Sequence, residues 1–167
     1  MKLDSIRQAV SADAPHILSG LNAVCAEGGA FYVTHFAPDD QWQPVLDDPA
    51  AYPDHLLLVA ECEQQVVGAL NLFPEPAHTL SRHVAELGVF VLPHHRRRGI
   101  GRAMMEAALA WAVQTPLEKI TLRVFATNRP AIALYRQFGF HVEGRQKRQI
   151  RARGADIDLM WMAHFLR

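Results

Sequence analysis

The stretch Val89-Phe90-Val91-Leu92-Pro93-His94-His95-Arg96-Arg97-Arg98-Gly99-Ile100-Gly101-Arg102-Ala103 decides the fold of this chain. An unbroken apolar run, Gly88–Leu92, reads as the end of a strand buried on both faces. Pro93 closes it, a basic turn follows, and a helix opens at a Gly-x-Gly. The free N–H groups and positive dipole end of a helix start form an anion site. Glycines let an anion approach the main chain, and Arg96, Arg97, Arg98 and Arg102 add charge-assisted donors. The pattern therefore points to a bound phosphate. A Walker loop needs Gly-Lys-Ser/Thr where Gly101-Arg102-Ala103 stands, and the dinucleotide fingerprint needs Gly or Ala where Met104 stands.

Outward from the loop, Val84–Leu92 reads as one strand and Gly99–Thr115 as a helix. Ile100, Met104, Ala107, Ala108 and Trp111 make that helix's apolar face. Lys119–Ala126 follows as a strand, with alternate apolar residues Ile120, Leu122, Val124 and Ala126 on one side. Pro130–Phe138 reads as a short helix capped by Asn128 or Thr127 and stopped by Gly139. Phe140–Glu143 and Ile157–Phe165 read as two final strands. Upstream, Ser5–Val10 is a first strand, and a helix begins near Ser11 and stops at Gly28-Gly29. Residues 30–54 hold a short helix in a long loop, and His55–Cys62 with Val66–Phe73 form a hairpin. The order β-α-(α)-β-β-β-α-β-α-β-β predicts one α/β (α+β) domain over residues 1–167, with helices packed on a sheet.

Composition narrows the function. The chain has 167 residues, half of them apolar and 20% charged, an ordinary globular balance. Lys plus Arg and Asp plus Glu number 17 each, so no overall positive field favours nucleic acid. The strongest local basic run is Arg145, Lys147, Arg148, Arg151, Arg153; it reads first as a solvated hairpin or dimer rim, and otherwise as a contact for RNA, the ribosome or an acidic acceptor. Two cysteines, Cys25 and Cys62, fit reduced packing residues of a cytoplasmic protein. No signal peptide or membrane span is expected. His94-His95 has no completing ligand nearby, so no metal is expected.

Arg96-Arg97-Arg98-Gly99-Ile100-Gly101 resembles the Gln/Arg-x-x-Gly-x-Gly/Ala pyrophosphate loop of the GNAT superfamily of N-acetyltransferases. A second block, Asn128 through Phe140, is similar to that family's Asn-x-x-Ala-x-x-Leu-Tyr-x-x-x-Gly-Phe segment. The order of strands and helices fits over nearly the whole chain, and Gly139 through Met162 loosely resembles the spermidine and ribosomal-protein branches. The resemblance implies a mostly antiparallel sheet of about seven strands with a splayed central pair, flanked by about four helices. It implies acetyl-CoA as co-substrate, with the N–H groups of Arg97 through Ala103, Ile100 among them, on the pyrophosphate. Phe90 and Val91 would pair with the pantetheine arm, and Asn128 would touch it. A small-molecule amine or a peptide N-terminus is the implied acceptor, and homodimers are common in such proteins.

The implied reaction needs a neutral amine, yet an alkyl amine of pKa ~10.4 is protonated at pH 7. Tyr135, matching the family's tyrosine, is the candidate acid for the departing thiolate; the competing reading is a core tyrosine. Glu86 is the candidate base, because strand period two places Glu86, Gly88 and Phe90 on one face. Its competing reading is a carboxylate paired with Arg82 or Arg123, or a water relay without a single base. The ribosomal-protein branch keeps a Glu where Arg123 stands. Phe31, Tyr32, Phe36 and Trp42 are candidates for an apolar acceptor wall, and Asp39, Asp40, Asp47 and Asp48 for an amine-attracting rim. A noncatalytic acyl-CoA-binding sensor is the rival function.

Overall fold

The computed structural model describes residues 3–37 and 42–167. Its strands are β1 (Ser5–Gln8), β2 (Leu56–Cys62), β3 (Gln65–Pro74), β4 (Val84–Val91), β5 (Lys119–Phe125), β6 (His141–Ala152) and β7 (Ala155–Phe165). The helices among the described residues are α1 (Ala14–Ala26), the short α2 (Gln43–Asp47), α3 (Ile100–Ala112) and α4 (Arg129–Gln137). The strands form one seven-stranded sheet in the order β1-β2-β3-β4-β5-β7-β6. Every neighbouring pair is antiparallel except β4 and β5, which are parallel. That one parallel pair follows from α3, which carries the chain back over the sheet between them. No helix among the described residues is long and apolar enough to cross a membrane.

Two apolar clusters lie on opposite faces of the sheet. The larger joins Leu70, Leu72, Ile120, Leu122 and Met162 to Met104, Met105 and Ala108 of α3 and Ile132 and Tyr135 of α4. The smaller sets Val59, Ala69 and Phe90 under Ile17 and Val24 of α1. Phe90 lies against Gly20, where an added Cβ would stand 2.6 Å from its ring, so the glycine lets α1 sit down on β4.

The last residues of β4 depart from the expected burial on both faces: Phe90 is buried, but Gly88, Val89 and Val91 are only partly covered. The reason is the cleft described below. β6 is longer than the short strand expected at Phe140–Glu143. It is an edge strand, largely exposed on both faces, with irregular register between Val142 and Gly144 and between Gln146 and Ile150. A polar edge with bulges has no period-two signal to read.

The start of α1 is pinned by a polar cluster. The Arg7 guanidinium donates to both oxygens of Asp13, at 2.7 and 3.0 Å, and to Glu61 at 2.6 Å. Asp13 also accepts the Val10 N–H at 2.8 Å. Arg7 holds both carboxyls below the usual range. With folded values depressed, the stability they add is complete above the unfolded carboxylate range of ~4 and is lost as pH falls through the lower folded values. Asp13 is only 5% exposed, so Asp13→Asn is expected to cost about 2–3 kcal/mol at pH 7. In denaturant melts, the gap between wild type and variant should close as pH is lowered below that range.

Candidate active site

β4 and β5 pair only at Val84–Lys119, Ala85–Ile120 and Glu86–Thr121, and then part. Each is held by its outer neighbour: β4 by β3 as far as Val91–Gly68, and β5 by β7 as far as Phe125–Leu159. The parting therefore leaves two strand edges with unpaired main-chain groups facing each other, and these call for a partner. Leu92 N–H donates to Val67 O, which sets the phase of β4. The main chain of Phe90 turns to β3, and those of Leu87, Val89 and Val91 turn to the opening. The register thus shifts the main-chain edge expected at Phe90 to Val89, while Phe90 gives its ring to the α1 packing. A cleft of about 1650 Å³ runs through this opening.

One end of the cleft is the basic loop. Arg97 has φ 63° and Gly99 φ 82°, both left-handed, so the turn curls its N–H groups to one side. The N–H groups of Arg97 through Arg102 find no acceptor among the described residues, and the first helical turn to close is Ala103 N–H on Gly99 O. This nest, opening onto the cleft at Arg97, Gly99, Ile100, Gly101 and Arg102, suits a phosphate group. The arginines divide their labour. Arg96 is a strut: it donates to Val91 O at 2.8 Å and grips Glu27, at the end of α1, at 2.6 and 2.7 Å. Arg102 pairs with Glu106 at 3.0 Å and reaches Gln137. Arg97 lines the cleft, whereas Arg98 and Ala103 do not. Asn128 caps α4 by accepting the Ala131 N–H, and it also faces the cleft.

Tyr135 and Glu86 both line the cleft. Tyr135 belongs to α4 and is 8% exposed, and its hydroxyl makes no hydrogen bond to a described residue. Burial pushes its pKa up to about 12, so the phenol keeps its proton throughout the neutral range. Glu86 stands on the last paired rung, on the face carrying Gly88 and Phe90. It is ion-paired with Arg123, whose Nε and Nη2 both donate to Oε1, at 2.8 and 2.6 Å. Arg82, the other partner considered for it, is bound to Asp54. Glu86 is therefore ion-paired with Arg123 and also faces the cleft.

The aromatic residues gather as a wall. Phe31 and Phe36 meet edge to face at 5.4 Å, and Asn22 fixes their loop by bonding both main-chain groups of Phe36. Tyr32 and Trp42 line the same cleft. The acidic rim differs from expectation. Asp47 accepts from Ser11 and Gln43 outside the cleft, and Asp48 does not line it. Asp39 and Asp40 lie outside the described residues. Among the described residues the carboxylates on the cleft are Glu27, Glu75 and Glu86. The basic hairpin is largely compensated: Arg145 pairs with Asp158, and Arg148 and Arg151 with Asp156. Arg153 instead donates to Glu27 O across the cleft. Asn71, whose amide covers Gly88, lines the cleft without having been singled out by any motif. Among the described residues no group of three or more His, Cys, Asp or Glu is placed to hold a metal.

The comparisons with known proteins agree with this geometry. The chain is 32% identical over 126 residues to the L-amino acid N-acetyltransferase AaaT of Escherichia coli, covering 75% of each chain. The structure of a ribosomal-protein-alanine N-acetyltransferase from Brucella melitensis superposes with a TM-score of 0.81 at 29% identity, over 97% of this chain and 99% of that one. The acetyltransferase yncA from Salmonella typhimurium, solved with its cofactor acetyl-CoA, shares the fold with a TM-score of 0.87 at 21% identity, over 100% and 95%. The model of the acetyltransferase (GNAT) family matches residues 23–140, which hold both sequence blocks and the splayed strands, and the chain belongs to that family of N-acetyltransferases.

Proposed function

We propose that this chain transfers the acetyl group of acetyl-CoA to the amine of a small molecule or a peptide N-terminus, by direct attack within a ternary complex. The observation that carries this reading is that Glu86, on the last rung before β4 and β5 part, and Tyr135 of α4 line the same cleft. The nest at Arg97–Arg102 would receive the diphosphate, and Asn128 with the open edge at Val89 and the Val91 N–H would receive the amide-bearing arm. The thioester, when bound, supplies the electrophilic acyl carbon. Glu86 takes the proton from the incoming ammonium through Oε2, directly or through water, because Arg123 occupies Oε1. As the C–N bond forms and the C–S bond breaks, Tyr135 gives its proton to the departing sulfur; the second proton of the attacking nitrogen returns through water to the phenolate, and Glu86 releases its proton to solvent.

A thiol-release assay against amino acids, polyamines, aminoglycosides and N-terminal peptides tests the reading. Free thiol in step with acetylated amine is expected for at least one class. Acetyl-CoA binding with no release on the whole panel would instead describe a sensor. Glu86→Gln is expected to lower kcat about 100-fold, the low end of the usual contribution of a general base. An unchanged rate would hand the proton to a water relay.

A further inference from the structure

Arg123 is more than a counter-ion for Glu86. It stands two residues past the last paired rung of β5, directly across from Trp161 on β7. Its guanidinium lies 4.5 Å from the ring centre of Tyr32 and 5.2 Å from that of Trp161. Two aromatic rings and one carboxylate oxygen thus fix its plane. Its Nη1 makes no hydrogen bond to a described residue, and neither does Glu86 Oε2. Arg123, Glu86 and Tyr32 all line the cleft.

This arrangement selects the acceptor. A bare ammonium or a polycation arriving at Glu86 would meet the fixed positive charge of Arg123 beside it. A molecule with an anion one carbon away from its amine would meet both groups in matching sense. We propose, resting on the reading of the previous subsection, that the acceptor is a free α-amino acid whose α-carboxylate is held by Arg123 Nη1 while its amine meets Glu86 Oε2. Phe31, Trp42, Tyr52 and Phe73 line the same cleft, which suits an apolar side chain. Arg123 is then a specificity residue that touches substrate, and its charge forbids what a carboxylate there would attract.

The test compares acceptors on the intact protein. L-leucine, L-methionine and L-phenylalanine are each assayed beside their amides and their decarboxylated amines, with spermidine and an N-terminal peptide as further arms. Free thiol is the readout. The best amino acid is expected to exceed its own amide and amine at least 100-fold in kcat/KM. Arg123→Met is expected to raise KM for the amino acid at least 30-fold more than it raises KM for the amide, so that the preference collapses. Arg123→Lys, which keeps the charge without the planar fork, is expected to fall between them. The wild-type ratio needs no variant, so a poorly folding substitution does not decide the matter. Equal rates on amino acid and amide, or activity confined to spermidine or the peptide, would overturn the carboxylate anchor and leave the acetyltransferase reading standing. No release from any acceptor, with acetyl-CoA binding shown by calorimetry, would overturn both.

Discussion

Tyr135→Phe is expected to lower kcat about 100-fold while acetyl-CoA affinity and thermal stability stay close to wild type. The size is that of a general acid removed from a transition state. Its selectivity follows from the structure. The hydroxyl makes no hydrogen bond to a described residue, so its deletion leaves no protein partner unsatisfied. The ring remains to pack on Phe140 at 5.9 Å and to fill the core beside Ile132. A tyrosine that served only the core would give the same stability and an undiminished rate. The pKa of about 12 adds a second readout, since the wild-type kcat profile should show no loss of this proton near pH 10. Steady-state kinetics with calorimetry of acetyl-CoA separates the two roles.

Gly101→Asp is expected to weaken acetyl-CoA binding more than 100-fold without lowering the melting temperature. The two halves of this prediction come from one fact. An acidic residue in the first turn of α3 satisfies free N–H groups and the helix dipole, which stabilises the helix by about 0.3–1 kcal/mol. The same carboxylate then occupies and repels the anion for which those N–H groups were left open. Space permits the change: a Cβ on Gly101 would stand 3.4 Å from the tip of Leu134, an ordinary contact. Gly99 behaves differently, because its φ of 82° strains any larger residue regardless of space. If Gly101→Asp bound acetyl-CoA as wild type does, the anion site would lie elsewhere.

The sequence carries the centre of the fold legibly and its periphery poorly. Pro93, the paired glycines and the apolar face of α3 each signal locally, and so do Asn128, Pro130 and Gly139 around α4. These signals place the end of β4, the start of α3 and both ends of α4 within a residue or two, while the splayed pair comes from the family resemblance. What stayed hidden depends on partners far along the chain. Arg96 reads as a phosphate donor from its neighbours, but Glu27, 69 residues away, takes its guanidinium. Whether Phe90 or Val89 presents its main chain to the opening is set by register with β3, which the apolar run does not encode. Arg123 was visible as a departure from a pattern and as one possible partner of Glu86; its position between Tyr32 and Trp161 requires a loop and a strand that no local rule brings together. The aspartates of the loop were read as a rim from charge alone, and Asp47 turns instead to Ser11.

The most direct measurement is calorimetric titration of the wild-type protein with acetyl-CoA and, separately, with S-acetylpantetheine, which keeps the thioester arm and lacks the diphosphate. Tight exothermic binding of the first and at least 100-fold weaker binding of the second is the expected result, because the open N–H nest at Arg97–Arg102 contributes only where an anion is present. Equal affinity for the two, or no heat with acetyl-CoA, would contradict the assignment of that turn to the coenzyme.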